Sequence, residues 1–445
     1  MNRKILPLLL SALLLTAPLT ACSPSDENTD TTPTGTGAAE GTGSSADGSG
    51  TTAENTDREP LPRYDYMAAT VTSSVTMNRE DYAGVTLTIP DSLKVEDEDV
   101  QNYIENIRFQ YRTAVNGTAM VKDKPLSMGD DAYIYYKGFL NGVEFEGGSN
   151  WDDAAPHTLG LGSGKFIPGF ESSLVGIVPN TTSKTNPAEI TVTFPEDYSA
   201  DLAGKTVIFQ VAVEYAVQYT LPEYNRELVE QTLKYAPKKE FYASDEALLD
   251  EFEEYVFDHL VKQSQSNVES AKSSALWEHL TAKAQCRDLP AAEIAYYVDV
   301  YVSEVEYYYQ TYKSYGGEQF QTQYPTFDSF ARAYLGLGED ADWREEVTGY
   351  AEELVRRDMI THAIAEWEGM ESVSSEEYEE QIQYWIDYYA SGYNAMTRDE
   401  VIQNMGETFL REAALQEKMG KWLLEQVNFT YADGTPLVTA TDNKA

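Results

Sequence analysis

Cysteine is nearly absent from these 445 residues: Cys22 and Cys286 are the whole stock, so no disulfide framework can organise the fold. Histidine is almost as scarce. His157, His259, His279 and His362 stand at no spacing that would let them share an ion with one another or with a cysteine, and HExxH does not occur, so the sequence offers no metal site. A phosphate loop is missing too: Gly160-Leu161-Gly162-Ser163-Gly164-Lys165 is one residue short of the required spacing, and Phe166 stands where the hydroxyl belongs. No other cofactor signature is present. Basic residues number 32 against 74 acidic ones, and the formal net charge of −42 excludes nucleic acid as a partner. Long apolar runs are missing apart from Ile5 to Leu15, which is too short to span a bilayer. No internal repeat and no Ser/His/Asp arrangement stands out.

The one apolar run follows Arg3 and Lys4 and leads to Leu19-Thr20-Ala21-Cys22. This resembles the lipobox of bacterial lipoproteins, which implies removal of residues 1–21, acylation of Cys22 and an extracytoplasmic protein anchored to the cell membrane by lipid. An ordinary secretory leader with an incidental cysteine is the other reading. Residues 22–63 are almost wholly Ser, Thr, Gly, Ala, Asp, Glu, Asn and Pro, too polar to offset the entropy of ordering, and are expected to form a disordered tether. The acidic body would be repelled by anionic lipid, which suits an acyl anchor better than a basic patch. With Cys22 acylated, Cys286 has no partner for an intramolecular disulfide.

Residues 128–220 alternate as strands do. Ala132, Ile134 and Tyr136 share one face of a strand that turns at Asn141-Gly142, the dipeptide best suited to a two-residue hairpin. Phe145 and Glu146 come on the returning strand. A glycine-broken segment, Leu161 to Glu171, follows, and two further strands carry Ile190, Val192 and Phe194, then Val207, Phe209, Val211 and Val213, with a turn at Pro195-Glu196-Asp197-Tyr198 between them. Four blocks, YYKGFLNGVEFEGG, LGSGKFIPGFE, VTFPEDY and LAGKTVIFQVAV, stand in the order and spacing of an FKBP-type peptidyl-prolyl isomerase domain, and the match resembles most the version carried by the trigger factor family. That resemblance implies an aromatic cage for a substrate proline formed by Tyr136, Phe145, Phe166, Ile167, Tyr198 and Phe209 over Phe170 as floor. Glu146 takes a place where many relatives have aspartate, and the floor is often tryptophan in drug-binding members. The loop before the last strand is short here. Each cage residue also has a plain reading as sheet core.

Aromatic residues suit this chemistry because prolyl isomerisation needs no proton transfer and no covalent step. The barrier, roughly 18–20 kcal/mol, is the partial double bond of the amide. An apolar cage that strips water from the amide disfavours its charge-separated planar form relative to the twisted one.

Residues 64–127 read as a lead-in: a short extended piece, Val85 to Pro90, then an acidic helix start at Asp97-Glu98-Asp99 and an apolar-periodic helix with Val100, Ile104, Ile107 and Tyr111. The segment resembles the approach to the isomerase domain in trigger factor. No Gly-Phe-Arg-x-Gly-Lys ribosome-binding loop precedes it, so ribosome docking is not expected. From 221 to 428 the period is helical and resembles the chaperone domain of that family. Helices are expected from Ser244 to about Ala284, Pro290 to Tyr312, Thr326 to Leu335, Asp342 to Glu368, Ser374 to Tyr389 and Thr397 to about Gln426, with capping boxes at Ser374–Glu377 and Thr397–Glu400 and Pro290 in a first turn. Residues 429–445 are expected to be a flexible tail.

Tyrosine crowds two of these helices, at Tyr296, Tyr297, Tyr301, Tyr307, Tyr308, Tyr309, Tyr312 and Tyr315, and at Tyr384, Tyr388, Tyr389 and Tyr393. One buried face cannot use so many. Tyr297, Tyr301, Tyr308 and Tyr312 are therefore candidates for a client-binding surface. The sequence thus predicts an α+β protein: an FKBP-like antiparallel sheet wrapped on a short helix, then a mostly helical domain. The expected activity is isomerase and chaperone for unfolded exported polypeptides, without cofactor. A catalytically inert holdase or a docking scaffold for one partner is the alternative.

Overall fold

The computed structural model describes residues 61–195, 198, 202–239, 242–338, 340–390 and 395–438. The leader, Cys22, nearly all of the tether, Tyr393 and residues 196 and 197 of the turn lie outside the described residues. Two compact units are present, one of Lys94–Ser266 and one of 61–93 with Asn267–Leu437. The stretch 64–127, expected as one lead-in, is therefore divided between them at Leu93.

In chain order the elements are β1 (Val75–Thr76), β2 (Thr86–Ile89), α1 (Asp97–Gln110), β3 (Thr113–Ala114), β4 (Met120–Val121), β5 (Asp131–Leu140), β6 (Val143–Ser149), β7 (His157–Gly160), α2 (Phe170–Leu174), β8 (Ala188–Thr193), β9 (Thr206–Val217) and β10 (Tyr219–Thr220). After a π-helical turn at Glu227–Thr232 come α3 (Asp245–Lys283), β11 (Gln285–Cys286), α4 (Ala291–Gln323), α5 (Phe327–Tyr334), α6 (Trp343–Glu368), α7 (Ser375–Ala390), α8 (Arg398–Met405), α9 (Glu407–Gln426) and β12 (Asn428–Tyr431).

The first unit is built on an antiparallel sheet in the order β4-β9-β5-β6, with β7 beside β5 and β8 beside β9. Positive φ at Asn141 (53°) and Gly142 (83°) makes the tight hairpin that the dipeptide announces. Along β9 Val207, Phe209, Val211 and Val213 are all buried, and the register then slips by one residue: Tyr133 faces Tyr215 and Ile134 faces Val213, so Glu214 bulges and Ala216 turns inward. Short helix α2 lays Phe170 and Leu174, both fully buried, into the core that Ile134, Val192, Phe209 and Val211 make on the sheet. Outside the sheet, Val100 and Ile104 of α1 pack with Val229, Phe252 and Val256.

The second unit is helical, with helix starts where they were expected. Ser374 and Glu377 exchange side-chain and backbone hydrogen bonds (2.7 and 3.2 Å), as do Thr397 and Glu400 (2.8 and 3.4 Å). Three expectations change. The helix foreseen from Thr397 to about Gln426 is two, because Gly406 (φ 85°, ψ 147°) leaves the helical region and both ends α8 and opens α9. Pro290 sits at the cap of α4 rather than in its first turn, and α4 runs past Tyr312 to Gln323, with Gly317 non-helical inside it. The tail is ordered at its start: β12 pairs in parallel with β2, Asn428 opposite Thr86 through Tyr431 opposite Ile89, and Tyr431 is buried. That strand satisfies backbone groups of β2 that would otherwise form an open edge.

One side chain pins the start of the described chain to this unit. Arg63 donates from Nε to Glu293 (2.9 Å), pairs through a second nitrogen with the same carboxylate and through the third with Glu412 (2.8 Å), and lies over the ring of Tyr296 at 4.9 Å. Tyr64 adds its backbone N–H to Glu293 (2.7 Å). Behind them Tyr297 donates to Asp358 (2.8 Å) and Gln416 donates to its other oxygen (2.5 Å). The three carboxylates offer oxygens within 4.8 Å of one another in the buried interior. Burial, against the pull of Arg63, raises Glu412 to about 8 and Asp358 to about 7. His362, its ring stacked on Tyr66 at 4.8 Å, is lowered to about 4 by burial and then by Arg63.

Candidate functional site

The sheet of the first unit gathers five aromatic rings around one position. Tyr136 from β5 meets Phe166 at 5.3 Å, Phe170 at 6.1 Å and Phe209 at 6.2 Å, each edge to face, and Phe166 meets Phe170 at 4.7 Å. Phe170 meets Phe209 at 5.1 Å, and Phe145 meets Phe209 at 5.8 Å. Edge-to-face contacts of this kind hold rings at fixed angles rather than as a loose cluster. Phe170 is fully buried beneath, which makes it a floor, whereas Tyr136, Phe145, Phe166 and Ile167 are half-buried walls. Phe209 is buried, so its share in the cage is one edge of a core ring.

The remaining two expected residues stand further out. Tyr198 is 47% exposed and touches Phe194 (4.6 Å), which in turn touches Phe145 (6.0 Å), so it reaches the cage through one intervening ring. Glu146 is exposed next to Phe145 and, among the described residues, its carboxylate makes no hydrogen bond or ion pair. Burial, and secondarily the charge of Asp153, raises Tyr136 above the ordinary phenol range, so its hydroxyl is protonated and neutral at physiological pH.

Three residues that place the cage had no role assigned from sequence. Buried Asn150 accepts from the Tyr136 N–H (2.6 Å) and donates to the Ile134 carbonyl (3.2 Å), which bridges the irregular stretch where β6 leaves register with β5. Buried Glu171 accepts from the backbone N–H groups of Gly162 (2.7 Å), Lys165 (3.0 Å), Gly164 (3.2 Å) and Phe166 (3.3 Å), and from the Ser163 hydroxyl (3.0 Å). The glycine-broken loop is thus wound around one carboxylate, and Phe166 is fixed by it. Substituting Glu171→Ala is expected to cost about 2–3 kcal/mol, since those donors lose their acceptor. Hydrogen exchange should show it directly, as lost protection at Gly162, Gly164, Lys165 and Phe166; protection equal to wild type would contradict the role. Third, His157 on β7 stands against the cage, 5.5 Å from Phe166 and 6.3 Å from Tyr136.

Glycine serves the cage at two positions where a side chain would collide. A Cβ on Gly138 would lie 2.5 Å from the Phe145 ring and 2.7 Å from that of Phe209, and one on Gly148 would lie 2.4 Å from Phe145. Phe145 can lie across the β5–β6 hairpin only because both are bare.

The family model described as FKBP-type peptidyl-prolyl cis-trans isomerase matches residues 122–214, the span of this sheet. Over the longer chain, a trigger factor of Shouchella clausii (strain KSM-K16) is 31% identical across 332 residues, which cover 74% of this chain and 67% of that protein. The chain belongs to the trigger factor family. Trigger factors of Syntrophomonas wolfei subsp. wolfei and Caldicellulosiruptor saccharolyticus are each 28% identical, over 73% and 79% of this chain and 64% and 69% of their own lengths. This trigger factor family chain thus spans about two thirds of those relatives. It is also similar, at 17% identity and a TM-score of 0.31, to a solved structure described as "Promiscuous Substrate Recognition in Folding and Assembly Activities of the Trigger Factor Chaperone", covering 79% of this chain and 72% of that one. A score that low says nothing about the placement of the two units.

The tyrosines expected to face clients part company in this family member. Tyr297 (5% exposed) and Tyr301 (8%) are core residues, one bound to Asp358 and the other packed with Val300, Val305 and Val347, so neither presents a surface. Tyr308 is half-buried, stacked on Tyr334 (5.4 Å) and Tyr312 (6.2 Å). Tyr312 is 48% exposed, and Tyr307 and Tyr315 are exposed beside it. Of the four candidates only Tyr312, on the distal part of α4, is exposed.

Proposed function

We propose that this protein is a peptidyl-prolyl cis-trans isomerase and chaperone that assists the folding of exported polypeptides at a membrane surface, held there by lipid on Cys22 and without docking at the ribosome. The five-ring cage of Tyr136, Phe145, Phe166, Phe170 and Phe209 is the observation that carries the isomerase part. An X-Pro segment seated among those rings loses the water that stabilises its planar amide, and the twisted state loses less, so the barrier falls. Apolar walls and a neutral phenol suffice; no group has to exchange a proton with the substrate. The exposed tyrosines of α4 suit the chaperone part, since they offer apolar area with hydroxyls that stay hydrated. Capture there would raise the local concentration of prolines near the cage, and a weak pocket would then be enough. The anchor rests on the lipobox-like Leu19-Thr20-Ala21-Cys22.

Refolding of a proline-limited model protein tests this reading. The chain starting at Ser23 should accelerate the slow phase, while Tyr136→Ala and Phe166→Ala, both at half-buried walls, should lose most of that acceleration and still suppress aggregation. A slow phase that no form changes, with aggregation still suppressed, would leave a holdase with an inert cage. Incorporation of labelled palmitate into the full chain and its loss in Cys22→Ala tests the anchor.

A further inference from the structure

We propose that His157 and Lys165 form a cationic rim on the cage that favours polypeptides with an acidic residue flanking the proline. The inference rests on the isomerase reading of the same site. Pairing of β7 with β5 sets His157 opposite Ile134, and its exposed imidazole closes the side of the cage next to Phe166 and Tyr136. Lys165 is the residue before Phe166, exposed, on the loop that Glu171 holds rigid. Its charge is felt at the imidazole. Two basic side chains thus border the pocket of a chain whose acidic residues outnumber basic ones by 74 to 32.

The groups around His157 define what it does. Tyr136 on β5 and Phe166 present rings, Lys165 presents the like charge, Asp153 between β6 and β7 acts on Tyr136, and Glu146 is exposed on β6. Neutral imidazole is a flat, mostly apolar wall. Burial first, and Lys165 second, hold His157 below its ordinary value, so it is neutral at pH 7 and gains its charge only below the ordinary imidazole range. There the rim carries two positive charges. A carboxylate next to the proline then finds a partner, whereas a leucine there finds none.

Exchange NMR on the chain from Ser23, with tetrapeptides that differ only in Glu or Leu before proline, measures the preference at about pH 5.5 and about pH 8. The Glu-to-Leu ratio of kcat/KM should rise roughly two- to fivefold toward acid, the scale of an exposed ion pair. In His157→Phe, which keeps a ring in the wall, the ratio should not follow pH; in Lys165→Met it should be lower at both values. Equal rises in wild type and His157→Phe would remove His157 from the rim, and a wild-type ratio indifferent to pH would overturn the proposal while leaving the isomerase reading intact. If neither peptide is turned over, the isomerase reading falls and the His157 Cε1–H signal decides. A pKa raised more by the Glu than by the Leu peptide keeps the rim, and equal pKa values with the two peptides overturn it.

Discussion

Replacing Arg63 with alanine is expected to lower the stability of the helical unit by roughly 3–5 kcal/mol, the usual cost of stranding a buried charge. Arg63 is the only cation among the groups that meet at Glu293, Asp358 and Glu412 in the described residues, and it also lies over Tyr296. Burial opposes its charge, but the fields of Tyr297 and the three carboxylates outweigh that and keep it protonated. Lysine should restore only part of the loss, because an ammonium cannot engage both glutamates in a fork while stacking on a ring. Urea unfolding followed by circular dichroism at 222 nm reads the change; an unshifted midpoint in Arg63→Ala would show that the cluster is held by its protons alone.

The same cluster sets a pH dependence. Glu412 at about 8 and Asp358 at about 7 lie above their ordinary 4.5 and 3.8, so the folded chain binds their protons more tightly than the unfolded chain does. Stability from that source is present in full only below the ordinary 3.8 and 4.5 of the unfolded groups, and is lost progressively as pH rises from there through 7 and 8. The urea midpoint of the helical transition should therefore fall between about pH 5.5 and about pH 8.5, and Glu412→Gln should flatten the fall. An equal slope in the variant would remove Glu412 from the cause.

Phe170→Ala is expected to cost the sheet unit about 3–5 kcal/mol and to abolish isomerisation, since one ring is both core and floor. Its contacts with Tyr136, Phe166 and Phe209 show why the two losses cannot be separated. Hydrogen exchange on the full chain can assign the damage: β5 and β9 should exchange faster while α6 keeps its protection. Retained acceleration of a proline-limited refolding phase by this variant would mean that substrate sits elsewhere.

What could be read in advance followed the reach of the signal along the chain. Asn141-Gly142 and the alternation of β5 are local, and the hairpin is there. The capping boxes at Ser374 and Thr397 span four residues each and are realised. Gly406 falls inside the helix expected from Thr397 to about Gln426, because nothing local says that its φ is positive. On α4, Tyr297, Tyr301, Tyr308 and Tyr312 do share one stripe, as their spacing implies, but periodicity cannot say where the packing partner stops. Along α6, Val347 packs with Tyr301, and Ala351, Val355 and Met359 lie in one core with Tyr297, while Tyr312 is left exposed. Arg63 was invisible as an anchor for a plainer reason: its partners come 230 and 349 positions later, where no window reaches.

The parallel pairing of β2 with β12 has a bearing on the order of events during synthesis. Thr86–Ile89 must wait for Asn428–Tyr431, about 340 positions later, before its edge is covered, and loops of that size close late. By contrast the FKBP-type sheet is complete once Val217 has been made. A chain growing from its amino end can thus finish the FKBP-type sheet while its helical unit is still open, with Arg63 unpaired until Glu293 and Glu412 have been made and β2 uncovered until the last strand arrives.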